Sequence, residues 1–191
     1  MVVYSGTFSK SNSGCGFKAE GEGSDMQLGE YCRAYSNKDH GFSAELGASM
    51  RIDRKADAMS NELSGFCVEG AHSRLETGEK CSATANGSHG FLAKGGGHLL
   101  VGRENESTGS AGCGFMSSGR RSLVKLSAGC TASSNKRPGF HSAGKGTLVK
   151  AIDCRQSENG TSTADDVFFA VSTGFLGMLC GALVSASLAC R

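Results

Sequence analysis

The sequence predicts an all-β fold, a β-solenoid of six coils of 24–25 residues, and three observations point to it. Six Gly-Phe dipeptides, Gly16-Phe17, Gly41-Phe42, Gly65-Phe66, Gly90-Phe91, Gly114-Phe115 and Gly139-Phe140, follow one another at steps of 25, 24, 25, 24 and 25 residues. A period of about 20 to 50 residues marks one supersecondary unit stacked on copies of itself. Within each unit the small and apolar residues come in pairs two apart, the spacing of a short strand with one buried face, and helical spacing is absent. The composition agrees, because 29 Gly, one Pro, three Tyr and no Trp in 191 residues suit a narrow interior better than a wide globular one. A flexible Gly- and Ser-rich linker shares that composition but has no reason to hold Phe, Ser and Leu at constant offsets through six units.

Residues 1–15 precede the first Gly-Phe and are assigned to an N-terminal cap; 16–161 form the repeat domain. The first strand of each unit opens on Phe17, Phe42, Phe66, Phe91, Phe115 or Phe140, with Ala19, Ala44, Val68, Ala93, Ser117 or Ser142 two positions on. The second is marked by Met26, Met50, Leu75, Leu99, Leu123 and Leu148, usually with another apolar residue such as Leu28, Ile52, Leu126 or Ala151 nearby. The third follows Cys32, Ala56, Cys81, Asn105, Cys130 or Cys154 with Ala34, Ala58, Ala83, Ser107, Ala132 or Gln156. The six Phe and the four Cys of the last column are therefore expected in the core. Ser36-Asn37-Lys38-Asp39, Ser60-Asn61-Glu62-Leu63 and Ser134-Asn135-Lys136-Arg137 are turn chemistry between units.

Odd and even units differ periodically. Cys32, Cys81 and Cys130 lie 49 apart, as do His40 and His89. Three 49-residue blocks admit an alternative fold, a β-trefoil, although its barrel needs large aliphatic residues where this chain has Ala, Ser and Cys. Leucine-rich repeats share the period without the Leu signature.

The nine cysteines are read as thiols. Only Cys130 and Cys154 of the interior column occupy adjacent units, ~4.8 Å apart, although parallel side chains make poor bridge geometry. Cys15, Cys67 and Cys113 fall at corner or outward positions, open to cross-linking between chains, and His40 and His89 share a corner expected to face solvent. No zinc-ligand spacing and no nucleophile elbow appears, and Gly139–Gly146 imitates a P-loop only through repeat grammar. The expectation is a non-enzymatic chain without catalytic, cofactor or metal residues. The sequons at Asn86, Asn105 and Asn159 are read as chance.

A net charge of +2 conceals an axial asymmetry. Residues 16–64 carry nine acids and six bases, whereas 113–155 carry eight Lys or Arg and only Asp153. Arg120, Arg121, Lys125, Lys136 and Arg137 are the candidate face for an anionic partner such as an acidic glycan, lipid or charged surface. Nucleic acid is disfavoured because no aromatic residues interleave with them. From Val167 to Cys190 no charge occurs in 24 positions. This segment, 162–191, is expected to cap the stack or join chains through Phe168, Phe169 and Phe175, with a membrane tail anchor as the alternative.

Ala19-x-Gly21-x-x-Ser24, Val68-x-Gly70-x-x-Ser73 and Ser117-x-Gly119-x-x-Ser122 resemble the head repeats of trimeric autotransporter adhesins. Similar Gly, Ser and Ala repeats occur in phage and large-virus fibre proteins. The resemblance covers residues 16–157 and implies stacked short strands, three chains side by side, and binding through exposed faces. The unit is longer than the adhesin head's, and no heptad stalk or membrane barrel domain accompanies it. No signal peptide is visible in Met-Val-Val-Tyr-Ser-Gly. The expected role is a self-associating structural or adhesive fibre component of a virus or phage, at the virion or appendage surface. The alternatives are a cytoplasmic filament-forming solenoid and a trefoil module binding glycan or actin.

Overall fold

A strand whose small and apolar residues alternate can bury one face only if another layer covers it, and here the chain covers itself by coiling. The computed structural model describes residues 1–161 and the backbone of Phe169–Val171. Those residues form an all-β solenoid of about six turns, in which each strand pairs in parallel with its equivalent one coil away. The phenylalanine sheet comprises Phe17–Glu20, Phe42–Glu45, Phe66–Glu69, Phe91–Lys94, Phe115–Ser118 and Phe140–Ala143. The leucine sheet runs through Val2–Val3, Asp25–Leu28, Ser49–Ile52, Arg74–Thr77, His98–Val101, Leu123–Leu126, Leu148–Ile152 and Phe169–Val171. The alanine sheet, of three-residue strands, runs through Phe8–Lys10, Arg33–Tyr35, Asp57–Met59, Ser82–Thr84, Glu106–Thr108, Thr131–Ser133 and Arg155–Ser157. Three parallel sheets exclude the trefoil barrel. The stack also begins before Phe17, since Val2–Val3 and Phe8–Lys10 supply two strands of a preceding coil.

The shared register places identical residues over one another. Phe66, Phe91 and Phe115 are direct partners, and adjacent rings in the column of six are stacked with centroids 4.6–5.3 Å apart. Each such pair adds about 0.5–1.5 kcal/mol beyond the area it buries. The glycine before each ring is required by closeness of approach. A Cβ on Gly41 would lie 2.7 Å from the Gly65 carbonyl oxygen and 2.9 Å from Asn61 Nδ2. The opposite wall is built from Ala34, Ala58, Ala83 and Ala132, with Cys32, Cys81 and Cys130 fully buried beside it and Cys154 partly so.

The corners set the details. The one from the alanine to the phenylalanine sheet carries an asparagine ladder, in which Asn37 Nδ2 donates to Asn61 Oδ1 at 2.9 Å and Asn61 Nδ2 to Asn86 Oδ1 at 3.1 Å. Each Oδ1 also accepts the preceding coil's backbone amide, at 3.1 Å for Asn37 and Asn61. Thus Asn86 and Asn159, read as chance sequons, are structural residues, and Asn105 is likewise buried, accepting from the Cys81 amide.

The alternation of 25 and 24 residues arises at the corner between the phenylalanine and leucine sheets. That corner has four residues in the first, third and fifth coils, as at Gly70–Ser73, and three in the second and fourth, as at Leu46–Ala48; the sixth keeps four, Gly144–Thr147, and is shortened before Arg155 instead. The odd-coil serine closes both, because Ser73 Oγ donates to Glu69 O at 2.6 Å and accepts from Gly47 N at 2.9 Å. Ser122 does the same for Ser118 O and Gly96 N. Corner length also corrects the expected leucine column. Leu99 pairs with Val124 and Leu123 with Leu148, so Val124 and Val149 face the core while Leu123 and Leu148 are half-exposed. Phe169 joins the stack by backbone pairing with Lys150. Phe168, Phe175 and the remainder of the cap or tail-anchor segment lie outside the described residues.

Ser110 interrupts the asparagine ladder. It is fully buried and its Oγ has no partner, while Ser107, in an alanine column, leans over to donate to Asn135 Oδ1 at 3.4 Å. The double variant Ser107→Ala/Ser110→Asn should complete the ladder to Asn86 and Asn135 and raise stability by about 1 kcal/mol. A denaturant midpoint lower than wild type would show instead that the gap relieves strain.

Candidate anion-binding face

Because sequence order is axial order in a stack, the charge asymmetry becomes a gradient along the rod. In the early coils, opposite charges meet across rungs. Lys18 bridges Glu20 and Glu45 at 3.0 Å each, Lys94 meets Glu69 at 2.8 Å, and Arg33 meets Asp57 at 3.2 Å. On the outer column of the leucine sheet, Arg51 lies 3.8 Å from Glu76. Two coils further along the same column stand Lys125 and Lys150, direct partners on adjacent strands. Arg120 and Arg121 form the corner leading into the Lys125 strand and Lys145 the corner leading into the Lys150 strand, the two corners joined by Arg121 N donating to Lys145 O at 3.2 Å. All five are exposed, and among the described residues no salt bridge lies beyond Glu104. Like charges on adjacent strands, ~4.8 Å apart, repel.

The five residues singled out from sequence fall into two groups. Arg120, Arg121 and Lys125 share one side of the rod with Lys145 and Lys150, which the sequence reading missed. The signal was present, because Lys150 follows Lys125 by one 25-residue unit. Lys136 and Arg137 sit at the corner between the alanine and phenylalanine sheets.

The early coils differ in a second respect. Large exposed apolar residues among those described run from Met1 to Leu63 and no further. On the alanine sheet Phe8, Arg33, Tyr35 and Met59 line a shallow open depression, with Lys10 Nζ 5.2 Å from the Tyr35 ring centroid. Beyond Met59 the same column turns polar, to Thr84, Thr108 and Ser133.

The outward side of the phenylalanine sheet departs from expectation. Cys67 is 0 % exposed and Cys113 2 %, so neither is open to cross-linking; Cys15 is partly buried. His40 and His89 do not face solvent as a corner pair. His40 is 5 % exposed, and its Nδ1 accepts from the Ser64 amide at 3.0 Å, as His89 Nδ1 accepts from the Cys113 amide at 2.9 Å. Cys15, His40, Ser64, His89 and Cys113 thus form one corner column, in which His40 and His89 accept amides of the next coil. Burial lowers both imidazoles. His89, with Arg137 adding to the effect, is held down at about 4; at His40 burial and Lys94 outweigh Asp39 and Glu45.

No group of three or more His, Cys, Asp or Glu among the described residues could hold a metal ion. Compared with family models, curated proteins and solved structures, the chain has no match.

The two histidines make stability pH-dependent. Their folded pKa values lie below the unfolded value of about 6.5, so the unfolded chain binds protons first, and stability complete above that pH is lost as pH falls, for His89 down to about 4. Between pH 7.5 and 5, urea midpoints should fall by an equivalent of roughly 1–2 kcal/mol. The His40→Gln/His89→Gln variant should flatten that decline. Glu45, whose pKa is lowered from 4.5 by the Ser43 hydroxyl and Lys18 against the cost of burial, contributes stability that is lost only at lower pH.

Proposed function

We propose that this chain is a non-enzymatic structural and adhesive repeat protein, a rigid rod whose late coils hold an anionic polymer or surface such as an acidic glycan. The observation that carries this reading is the Lys125–Lys150 pair on adjacent rungs, flanked by Arg120, Arg121 and Lys145, with no acid bridging any of them among the described residues. A periodic anionic chain laid along the axis would meet a cation at each rung and relieve their repulsion. The early coils, with Phe8 and Met59 exposed and Tyr35 half-exposed between them, serve self-association, with a homotrimer as the assembly. The resemblance to adhesin heads and virus fibres favours a fibre or surface appendage of a virion as the setting.

A sulfated glycan is the probe. Titrated at low and moderate salt, wild type should bind with a salt-dependent affinity, and Lys125→Ser/Lys150→Ser should bind about tenfold more weakly with a shallower salt slope. Lys150→Glu should weaken binding and yet stabilise the free protein by a few tenths of a kcal/mol. Unchanged affinity in both variants would remove the face from consideration. Sedimentation equilibrium of wild type beside Phe8→Ser/Tyr35→Ser/Met59→Ser tests the assembly, with a trimer expected for the first and a smaller species for the second.

A further inference from the structure

In the interior column Cys32, Ala56, Cys81, Asn105, Cys130, Cys154, the last two alone among the described residues place thiols on consecutive coils. The register is secured on either side, since Thr131 pairs with Arg155 and Arg155 N donates to Cys130 O at 3.0 Å. The two thiols are neighbours in the column, and each is the largest influence on the other's ionisation. Cys130 is fully buried, with Sγ 3.2 Å from Gly102 O, whereas Cys154 is partly exposed, with Sγ 3.2 Å from Ile152 O. The corner also changes here. Four residues, Ser127 to Cys130, turn the fifth coil, but strand Leu148–Ile152 runs one residue longer and only Asp153 and Cys154 remain before Arg155. The tighter turn, with Asp153 at φ 49°, leaves Cys154 at the rim of the column.

We propose that Cys130 and Cys154 form a thiol–disulfide exchange site, at which Cys154 accepts half of a small-molecule disulfide and Cys130 resolves the adduct into an intrachain disulfide. The Cys154 thiolate attacks one sulfur of R–S–S–R, forming the mixed disulfide and releasing RS⁻. The Cys130 sulfur, giving up its proton, then attacks Cys154 Sγ and expels the second RS⁻. Two protein thiols are oxidised, one external disulfide is reduced to two RSH, and the two protein protons end on them. The neighbouring Cys130 thiol lowers Cys154 below an ordinary thiol and so favours its thiolate, while burial holds Cys81 up at about 12. Stacked Cβ atoms ~4.8 Å apart must close by about 1 Å to reach disulfide geometry, a movement that the shortened corner can absorb. This site is independent of the anion-binding reading.

The test uses the full chain and oxidised glutathione at pH 7.5, followed by intact mass and peptide mapping. Wild type should lose two hydrogens and carry a Cys130–Cys154 link. Cys130→Ala should stop at a single glutathione adduct on Cys154, and Cys154→Ala should give neither product. Ala already occupies this column at Ala56, so both variants should fold. With a small alkylating reagent, Cys154 should react about tenfold faster than Cys32 or Cys81. A link from Cys154 to Cys180 or Cys190, the absence of an adduct in Cys130→Ala, or equal reactivity at Cys81 would each overturn the proposal.

Discussion

The spacing between successive parallel strands, ~4.8 Å, governs everything else in this protein. It is imposed by backbone hydrogen bonds, and once register is set it places every side chain one rung from its counterpart, whatever that counterpart is. Phenylalanine rings at that spacing stack face to face along an unbroken column. Asparagine side chains at the same spacing hydrogen-bond to each other and to the neighbouring backbone at once. A residue that suits the spacing is therefore repeated, and the repeat follows from the rise.

The corners face a different constraint, because they must reverse direction while leaving no buried amide unpaired. Left-handed residues recur at these bends, including non-glycine ones such as Tyr31, Lys55, Lys80 and Glu104, each at some conformational cost. The serine of a four-residue corner accepts the amide of the three-residue corner in the coil before it, so the two lengths are complementary and not interchangeable. This pairing accounts for the 49-residue superperiod without any barrel.

On the outside, the same rise that stacks rings also aligns charges. Early coils set acids against bases across rungs and gain modestly from it. Late coils align Lys125 with Lys150 and lose by it. Since the interior columns run through both halves alike, the difference belongs to the surface, where stability and binding impose opposite demands.

The period, the inward Phe and Ala columns and the axial charge gradient were legible in the sequence because each is a one-dimensional property that a uniform stack carries directly into space. Legibility ended where corner length varied. An extra residue at Gly119–Ser122 moves the core position from Leu123 to Val124, and no fixed offset can register that. The asparagine ladder was visible as turn chemistry but not as a ladder, since its partners lie 24 or 25 residues apart and are joined only when coils stack. Likewise, strand alternation assigns Cys67 to the outside, yet that outside is buried, and His40 and His89 in the corner column are bonded to backbone amides. Burial depends on what covers a face, and what covers it is set by tertiary contacts that sequence spacing does not encode.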